Sequence, residues 1–455
     1  MTAGFFAILL FALICITLMA GYPVAFTLAG VSLWIAGLTS YLGLFDFALM
    51  NALPSRIFGI MTNQTLLAVP LFIFMGITLE KSKIADQLLI NLSRLFRKLP
   101  GGLALSVTLV GVLLAASTGI VGATVVTMGL LALPTFLKND YPHSLACGTI
   151  CATGTLGQII PPSIALVLLG DVLSNAYQQV QIRQGSFSPA TVSVGDLFVG
   201  AVLPGLILVF LYCLYLLWRT RKLALGNDQA IMATQPSKSA IFIALIPPLS
   251  LMILVLGSII VGWATPTEAA GVGACGALVL AILKKQLNIH RVSEICTETA
   301  KITSMVFMIL VGASIFSLVF KGLGGDVVIE TWFAHLPGGL LSAVFAVMLL
   351  IFLLGFILDF IEITYVVVPI VGPILMMMGA DPVWLGIVIA INLQTSFLTP
   401  PFGFSLFYLR GVAPPKISTG DIYRGVIPFI VIQLIVLGVL LVWPDLATWL
   451  PNKVS

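Results

Sequence analysis

Charge is what this chain lacks most. Only 8% of its 455 residues are Asp, Glu, Lys or Arg, against roughly 25% in an average soluble domain. So little charge could not cover a soluble surface of this size. Hydrophobic residues make up 60% and the mean hydropathy is +1.16, so the chain reads as a polytopic membrane protein. A net charge of +4 over the whole length supplies no basic face, which excludes nucleic acid as a partner. There are three histidines and six cysteines. Cys147 and Cys151 stand four apart, but no further Cys or His completes a zinc set, and the cysteines read as small buried hydrophobes. No Gly-rich phosphate loop is present to point to ATP. No Ser/His/Asp or Cys/His arrangement points to an enzyme, and no cofactor is implied.

What the chain has in abundance is apolar runs of spanning length. Spanning helices are expected near 3–20, 23–44, 64–80, 196–218, 240–262, 266–283, 298–318 and 421–443. The first has no basic n-region and reads as a retained helix, not a signal peptide. Residues 81–98 read as an interfacial amphipathic helix, with Ile84, Leu88, Leu92, Leu95 and Phe96 on one stripe. Residues 175–195 read as an exposed loop.

The two halves echo each other. Leu99-Pro100-Gly101-Gly102 recurs as Leu336-Pro337-Gly338-Gly339, Pro134 as Pro373, and Pro161-Pro162 as Pro400-Pro401. Pro23 and Gly30 recur as Pro266 and Gly273, and Gly195-Asp196 as Gly420-Asp421. Ordered landmarks at near-constant offset argue for an internal duplication. The first repeat covers 1–218, with a hairpin near 101–136 and a broken helix near 143–174. A cytoplasmic linker spans 219–239. The second repeat covers 240–455, with a hairpin near 338–378 and a broken helix near 381–412. Of the 21 Lys and Arg, 17 fall in five segments (81–98, Lys138, 219–238, 284–301 and 410–424), leaving Arg56, Arg183, Lys321 and Lys453. One topology puts all 17 in the cytoplasm: both termini outside, five crossings per half, and both hairpins re-entrant. An odd number of crossings inverts the second repeat. The expected fold class is thus all-α: an inverted repeat with two re-entrant helical hairpins and two broken helices, as in elevator-type ion transporters.

The chemistry concentrates where these elements break. The first hairpin turns at Ala116 to Thr124, where Gly119 and Gly122 allow the turn and Ser117, Thr118 and Thr124 offer hydroxyls. Such a cluster serves either tight helix packing or a hard monovalent cation. The partner segment, Thr153 to Ser163, holds Gly154, Gly157, Gln158 and Pro161-Pro162. Two prolines break a helix and free carbonyls near mid-membrane. In the second hairpin, Asp359 and Glu362 lie in an apolar neighbourhood, where an acid costs about 2.5–3.5 kcal/mol. A bound cation, or a protonated or water-exposed carboxyl, would answer that cost. The second broken segment, Asn392 to Gly403, offers Asn392, Gln394, Thr395 and Thr399 beside Pro400-Pro401. Glu268, after Ala264-Thr265-Pro266-Thr267, reads as a helix cap. Glu80 and Asp86 read as surface charges, and the three histidines as loop residues.

Gly21-to-Phe26, Pro70-to-Gly76, Ser117-to-Gly122, Gly157-to-Ser163, Ala264-to-Gly271, Leu358-Asp359 and Leu398-to-Gly403 together resemble the large membrane subunit of tripartite ATP-independent periplasmic (TRAP) transporters, over nearly the whole chain. The resemblance implies a secondary active importer of an organic anion, driven by sodium and fed by a periplasmic substrate-binding protein. It implies a small four-helix membrane subunit as partner, a bacterial or archaeal inner membrane as location, and an elevator-like core. Carried over, the sodium ligands are Ser117, Thr118, Gly119, Gly154, Gly157, Asp359, Thr395 and Thr399. Thr124, Gln158, Pro161, Glu362, Asn392, Gln394 and Pro400 are substrate or gating candidates. Phe360-Ile361-Glu362 departs from the commoner apolar and small run of dicarboxylate and sialic-acid members, so those substrates are not carried over. Two other readings are weighed: a stand-alone anion–cation symporter or antiporter of related fold, and an intramembrane aspartyl protease using Asp359 and Glu362. The protease reading leaves the duplicated hydroxyl-rich tip without a purpose.

Overall fold

A computed structural model describes residues 3–82, 84–96, 99–188, 190–221, 223 and 238–454. Every regular element among them is helical. In chain order these are α1 (Ala3–Met19), α2 (Val24–Tyr41), α3 (Leu53–Thr62), α4 (Ala68–Lys81), α5 (Ile84–Leu95), α6 (Gly102–Thr118), α7 (Val121–Lys138) and α8 (His143–Thr155). There follow α9 (Ile164–Arg183), α10 (Val194–Thr220), α11 (Lys238–Ile260), α12 (Pro266–Leu283), α13 (Ile289–Gly322), α14 (Gly325–Ala334) and α15 (Gly339–Leu354). The chain ends with α16 (Phe360–Val366), α17 (Val368–Met377), α18 (Pro382–Leu398), α19 (Phe404–Val412), α20 (Thr419–Val442), and the short α21 (Asp445–Thr448) and α22 (Pro451–Val454). By length and composition, six described helices suffice to cross a membrane: α2, α7, α10, α12, α13 and α20. The pair α16 and α17, bent by 56°, would make a seventh.

All eight expected spans fall on helices, shifted by a few residues: α1, α2, α4, α10, α11, α12, α13 and α20. Residues 101–136, expected as one hairpin, hold α6 and α7 joined by a tight turn, and residues 338–378, expected as the other, hold α15, α16 and α17. Each opens on a glycine of positive φ, Gly101 at +78° and Gly338 at +103°. Of the expected linker, 222 and 224–237 lie outside the described residues; its ends belong to α10 and α11. The loop expected over 175–195 needs correction, because α9 continues to Arg183. Val172, Ala176 and Val180 are buried at spacing four. That is a helical stripe, and the intervening Gln and Asn residues mask it in the sequence.

The helices sort into two compact units, each drawn from both halves of the sequence. One comprises residues 1–67, 168–193 and 300–386. In it α1 packs on α2 and α14, while α14 and α15 lie against α17. A Cβ on Gly4 would meet Val328 at 2.5 Å, so α1 and α14 touch almost backbone to side chain. Arg183 pairs with Glu330 at 3.0 Å, fastening the end of α9 to α14.

The other unit comprises residues 68–167, 194–299 and 387–455. Here α4 runs along α12, and α8 is enclosed by α6, α7 and α20. The crossing of α8 and α20 uses facing glycines: a Cβ on Gly148 would lie 2.0 Å from the Gly425 carbonyl oxygen. Only a residue without a side chain permits two helices to approach so closely. The buried Tyr212 of α10 stacks edge-on to Phe429 of α20 at 5.0 Å and accepts a 2.8 Å hydrogen bond from Gln433 Nε2. The amphipathic helix α5 packs on α6 and α11, with Leu88, Leu89 and Leu92 buried.

Candidate functional site

The hydroxyl-rich turn sits where α6 stops. Gly119 takes φ of +61° and donates its N–H to the Ala115 carbonyl, the left-handed glycine stop common at helix ends. A Cβ at Gly119 would come within 2.9 Å of the Ile164 side chain. Behind the turn, a Cβ on Gly76 of α4 would meet the Ser117 carbonyl at 2.6 Å. The tip is thus clamped by backbone on one side and by the start of α9 on the other.

The Ser117 proton goes to a carbonyl, while the Thr118–Thr124 pair has two protons for three contacts, so one of them lies between the two hydroxyls. Ser117 Oγ donates to Leu114 O at 2.8 Å, and Thr124 Oγ1 to Ile120 O at 3.1 Å. Thr118 Oγ1 reaches Leu114 O at 3.0 Å and lies 2.8 Å from Thr124 Oγ1. A hydroxyl whose proton is committed presents lone pairs, and lone pairs suit a cation. Ser117, Thr118 and Thr124 are all buried.

The first broken helix lies against this tip. After α8 the chain makes a 3₁₀ turn over Leu156–Gln158, then loses regularity until Ile164. Pro161 and Pro162 carry no N–H, so the carbonyls of Gly157 and Gln158 lose their α-helical donors. Ser163 Oγ restores one of them, donating to Gln158 O at 2.9 Å. Gly157 is pressed on α6, with a built Cβ 2.8 Å from the Ala115 carbonyl. Gly154 faces Val125 of α7 at 2.3 Å in the same sense. The structure therefore brings together Ser117, Thr118, Gly119, Thr124, Gly154 and Gly157.

The second broken helix belongs to the same unit from residue 387 onward. Its break at Pro400-Pro401 uses the same rescue: Ser405 Oγ donates to the Phe397 carbonyl at 2.8 Å. Both Pro-Pro bonds, Pro161-Pro162 and Pro400-Pro401, are cis. Thr395 Oγ1 donates to Ile391 O and Thr399 Oγ1 to Thr395 O, at 2.8 and 2.7 Å. Beyond the break, α19 packs on α7 and α8: Cys151 Sγ lies 3.6 Å from Ser405 O, and a Cβ on Gly122 would strike the Tyr408 ring at 2.9 Å. Asn392 is buried on α18.

One side chain in these broken segments stands out energetically. Gln158 and Gln394 are each at most 1% exposed; the Gln158 carboxamide has no hydrogen-bond partner, while Gln394 interacts with the Tyr212 hydroxyl. A buried polar group left unpaired costs about 1–3 kcal/mol. The carboxamide of Gln158, beside a helix break, marks a place where a polar ligand or water would be stabilised.

Asp359 and Glu362 lie in the other unit. They form a capping box at the start of α16: Asp359 Oδ1 accepts from Phe360 N at 2.7 Å, and Glu362 Oε2 accepts from Asp359 N at 2.9 Å. Backbone donors at a helix start therefore offset part of the cost of burying these acids. Glu268 also caps, accepting from Thr265 N at 2.8 Å as its sequence context suggests.

Glu80 departs from its surface reading. Its Oε1 accepts a 2.7 Å hydrogen bond from Thr127 Oγ1, which ties α4 to the hairpin helix α7. No signal in a single sequence links positions 47 residues apart in this way. The neighbouring Lys81 does sit in a charged surface cluster, paired with Glu298 at 2.9 Å.

Comparison with known proteins then places the whole chain. Residues 8–446 match the family described as the tripartite ATP-independent periplasmic transporter, DctM component. The C4-dicarboxylate TRAP transporter large permease protein DctM of Pseudomonas aeruginosa is 30% identical over 92% of this chain and 94% of its own length. The sialic acid TRAP transporter large permease protein SiaM of Vibrio cholerae is 27% identical over 96% of both. Among solved structures, the Alcanivorax borkumensis YdaH transporter superposes with a TM-score of 0.65 at 18% identity, over 92% of this chain and 98% of its own. That last likeness is one of fold.

Proposed function

This chain belongs to the DctM-component family of tripartite ATP-independent periplasmic transporters, a large permease and secondary transporter of organic acids, and from that premise we propose that sodium drives it and a periplasmic binding protein feeds it. The observation that carries the sodium reading is the donor set in the broken segments. Committed hydroxyls at Ser117, Thr118 and Thr124 and the orphaned carboxamide of Gln158 lie beside a helix break with freed carbonyls. Neutral oxygens suit a hard monovalent cation. In this reading Ser117, Thr118, Gly119, Gly154 and Gly157 hold one ion, Thr395 and Thr399 serve as further sodium ligands in the same unit, and Asp359 as one in the other. Thr124, Gln158, Pro161, Glu362, Asn392, Gln394 and Pro400 shape the path of the substrate.

The two sequence halves, 1–218 and 240–455, are inverted repeats joined by a cytoplasmic linker, both termini face the periplasm, and the protein sits in the inner membrane. The hairpins and broken helices move as an elevator core, with sodium binding the two end states unequally. A small four-helix subunit completes the membrane complex. In support, the isethionate TRAP transporter permease protein DctMQ of Oleidesulfovibrio alaskensis is matched over only 56% of its length, so that relative carries additional chain.

The test is uptake into proteoliposomes holding this subunit and its small partner, with the cognate binding protein outside, with and without an inward sodium gradient. Uptake that needs both sodium and the binding protein is the expected result. Uptake indifferent to sodium, or undiminished without the binding protein, overturns the proposal and favours a stand-alone carrier.

A further inference from the structure

Four cations escape the basic segments of this chain, and the fold gathers three of them into one compact unit. They are Arg56 on α3, Arg183 at the end of α9 and Lys321 near the end of α13. The Lys321 ammonium is within electrostatic reach of both guanidinium groups. Like charges so placed repel, so the arrangement calls for something to offset it. Two of the three have acids to hand: Glu330 pairs with Arg183, and Asp326 acts on Lys321. Among the described residues, no carboxylate pairs with Arg56.

Arg56 instead lines a half-open cavity of about 190 Å³. Ser314 and Ser317, one turn apart on α13, form its hydroxyl wall, and Tyr365 of α16 faces them. Leu310 and Pro369 supply apolar surface. The Tyr365 hydroxyl is buried with no hydrogen-bond partner. The acid nearest to it in electrostatic terms, Asp171, is occupied by Asn63 Nδ2 at 2.8 Å. The cavity thus presents an unpaired guanidinium fork and two serines, and no carboxylate lines it. That donor set matches the planar oxygens of a carboxylate or the oxygens of a sulfonate. At roughly 30 Å³ per water, the space admits the acid group and a few carbons of a small organic anion.

We propose that this cavity is an anion-binding vestibule of the permease, in which Arg56 receives the acid group of the transported anion while Ser314 and Ser317 donate to it. The inference rests on the organic-anion reading above and adds a place and a residue to it. The cluster of outlying cations draws anions toward the mouth, and the unpaired Arg56 holds them there.

The test uses the full chain in phosphatidylcholine liposomes, which carry no net anionic headgroup. A Ser314→Cys variant is treated with methanethiosulfonate reagents of similar size and opposite charge, and modification is followed by mass spectrometry of the peptide carrying position 314. The anionic reagent is expected to react about tenfold faster than the cationic one, with succinate slowing it. Adding Arg56→Gln abolishes the preference, and Arg56→Lys retains it. Equal rates, or a preference indifferent to Arg56→Gln, overturn the proposal. In parallel, Arg56→Gln in otherwise native protein should raise the KM for anion uptake about tenfold while leaving half-saturation by sodium unchanged. Arg56 is exposed on α3, so its replacement leaves the packed interior intact. If charge selectivity holds but proteoliposomes that also hold the small subunit, with the binding protein outside, accumulate no organic anion, the transport reading fails and the site stands. If uptake proceeds with native KM in Arg56→Gln, the site fails and the transport reading stands.

Discussion

The crossing of α8 and α20 permits a sharp test, because one helix carries both the perturbation and its control. In Gly425→Ala the new methyl would lie 2.0 Å from the Ser144 carbonyl oxygen and 2.9 Å from the Gly148 nitrogen. Ordinary contact begins at 3.4 Å, so the backbones must part by about 1.4 Å. A gap of even 0.5–1 Å forfeits roughly a quarter to a half of the dispersion energy of the atoms that lose contact. Overpacking of this kind costs about 1–3 kcal/mol, and backbone atoms, unlike a side-chain tip, cannot swing aside. The better helix propensity of Ala returns up to about 1 kcal/mol. The net expectation is a loss of about 1 kcal/mol. Gly438 lies on the same helix with nothing within 4 Å of its built Cβ. There Gly438→Ala should gain about 0.5–1 kcal/mol from propensity alone. Equilibrium unfolding of the purified protein in mixed micelles measures both. Opposite signs, separated by about 2 kcal/mol, are expected, because the propensity gain is common to both variants and only the overpacking distinguishes them. Shifts of the same sign, or a neutral Gly425→Ala, would refute the close-crossing argument.

Three further outcomes are expected. Thr118→Val removes one hydroxyl of the 2.8 Å pair at nearly constant volume and should raise the sodium concentration for half-maximal uptake, whereas Thr118→Ser should not; sodium titration of uptake decides. Thr265→Ala abolishes the α12 capping box and should cost about 1 kcal/mol in unfolding with transport unaffected, so a selective loss of transport would assign Glu268 a role beyond capping. Glu80→Gln and Thr127→Val, combined in a double-mutant cycle, should couple by about 1 kcal/mol or more through their charge-assisted hydrogen bond; additive effects would dissolve the link between α4 and the hairpin.

The helices themselves were legible because apolar length is a strong signal, and so were the breaks, because adjacent prolines at 161–162 and 400–401 cannot continue a helix. Thr265 and Glu268 announced their capping box by spacing. Other features needed three dimensions. The tail of α9 hid because its buried stripe relies on Ala176 and Val180 among polar neighbours. Glu80 read as a surface charge because its partner lies on another helix. Arg56, Arg183 and Lys321 stood out in the sequence only as exceptions to a charge pattern, and their convergence is a property of the fold. Gln158 and Gln394 could be named as candidates, but whether an amide finds a partner, as Gln394 does in Tyr212, depends on packing that no spacing encodes.

The division into units has a consequence for the timing of synthesis. The polypeptide changes unit five times, after residues 67, 167, 193, 299 and 386. Helices α1 and α2 therefore emerge long before α14 and α17, the elements that complete their unit. At about 5–20 residues per second, the wait between residue 67 and residue 386 lasts roughly 15–60 s. Throughout that interval the early helices must be sheltered by lipid, by each other or by the insertion machinery. A nascent chain stopped at the midpoint would hold two unfinished units instead of one finished half. Quality control of this protein thus meets early helix pairs such as α1–α2 and α6–α7, but no complete unit until most of the sequence has been made.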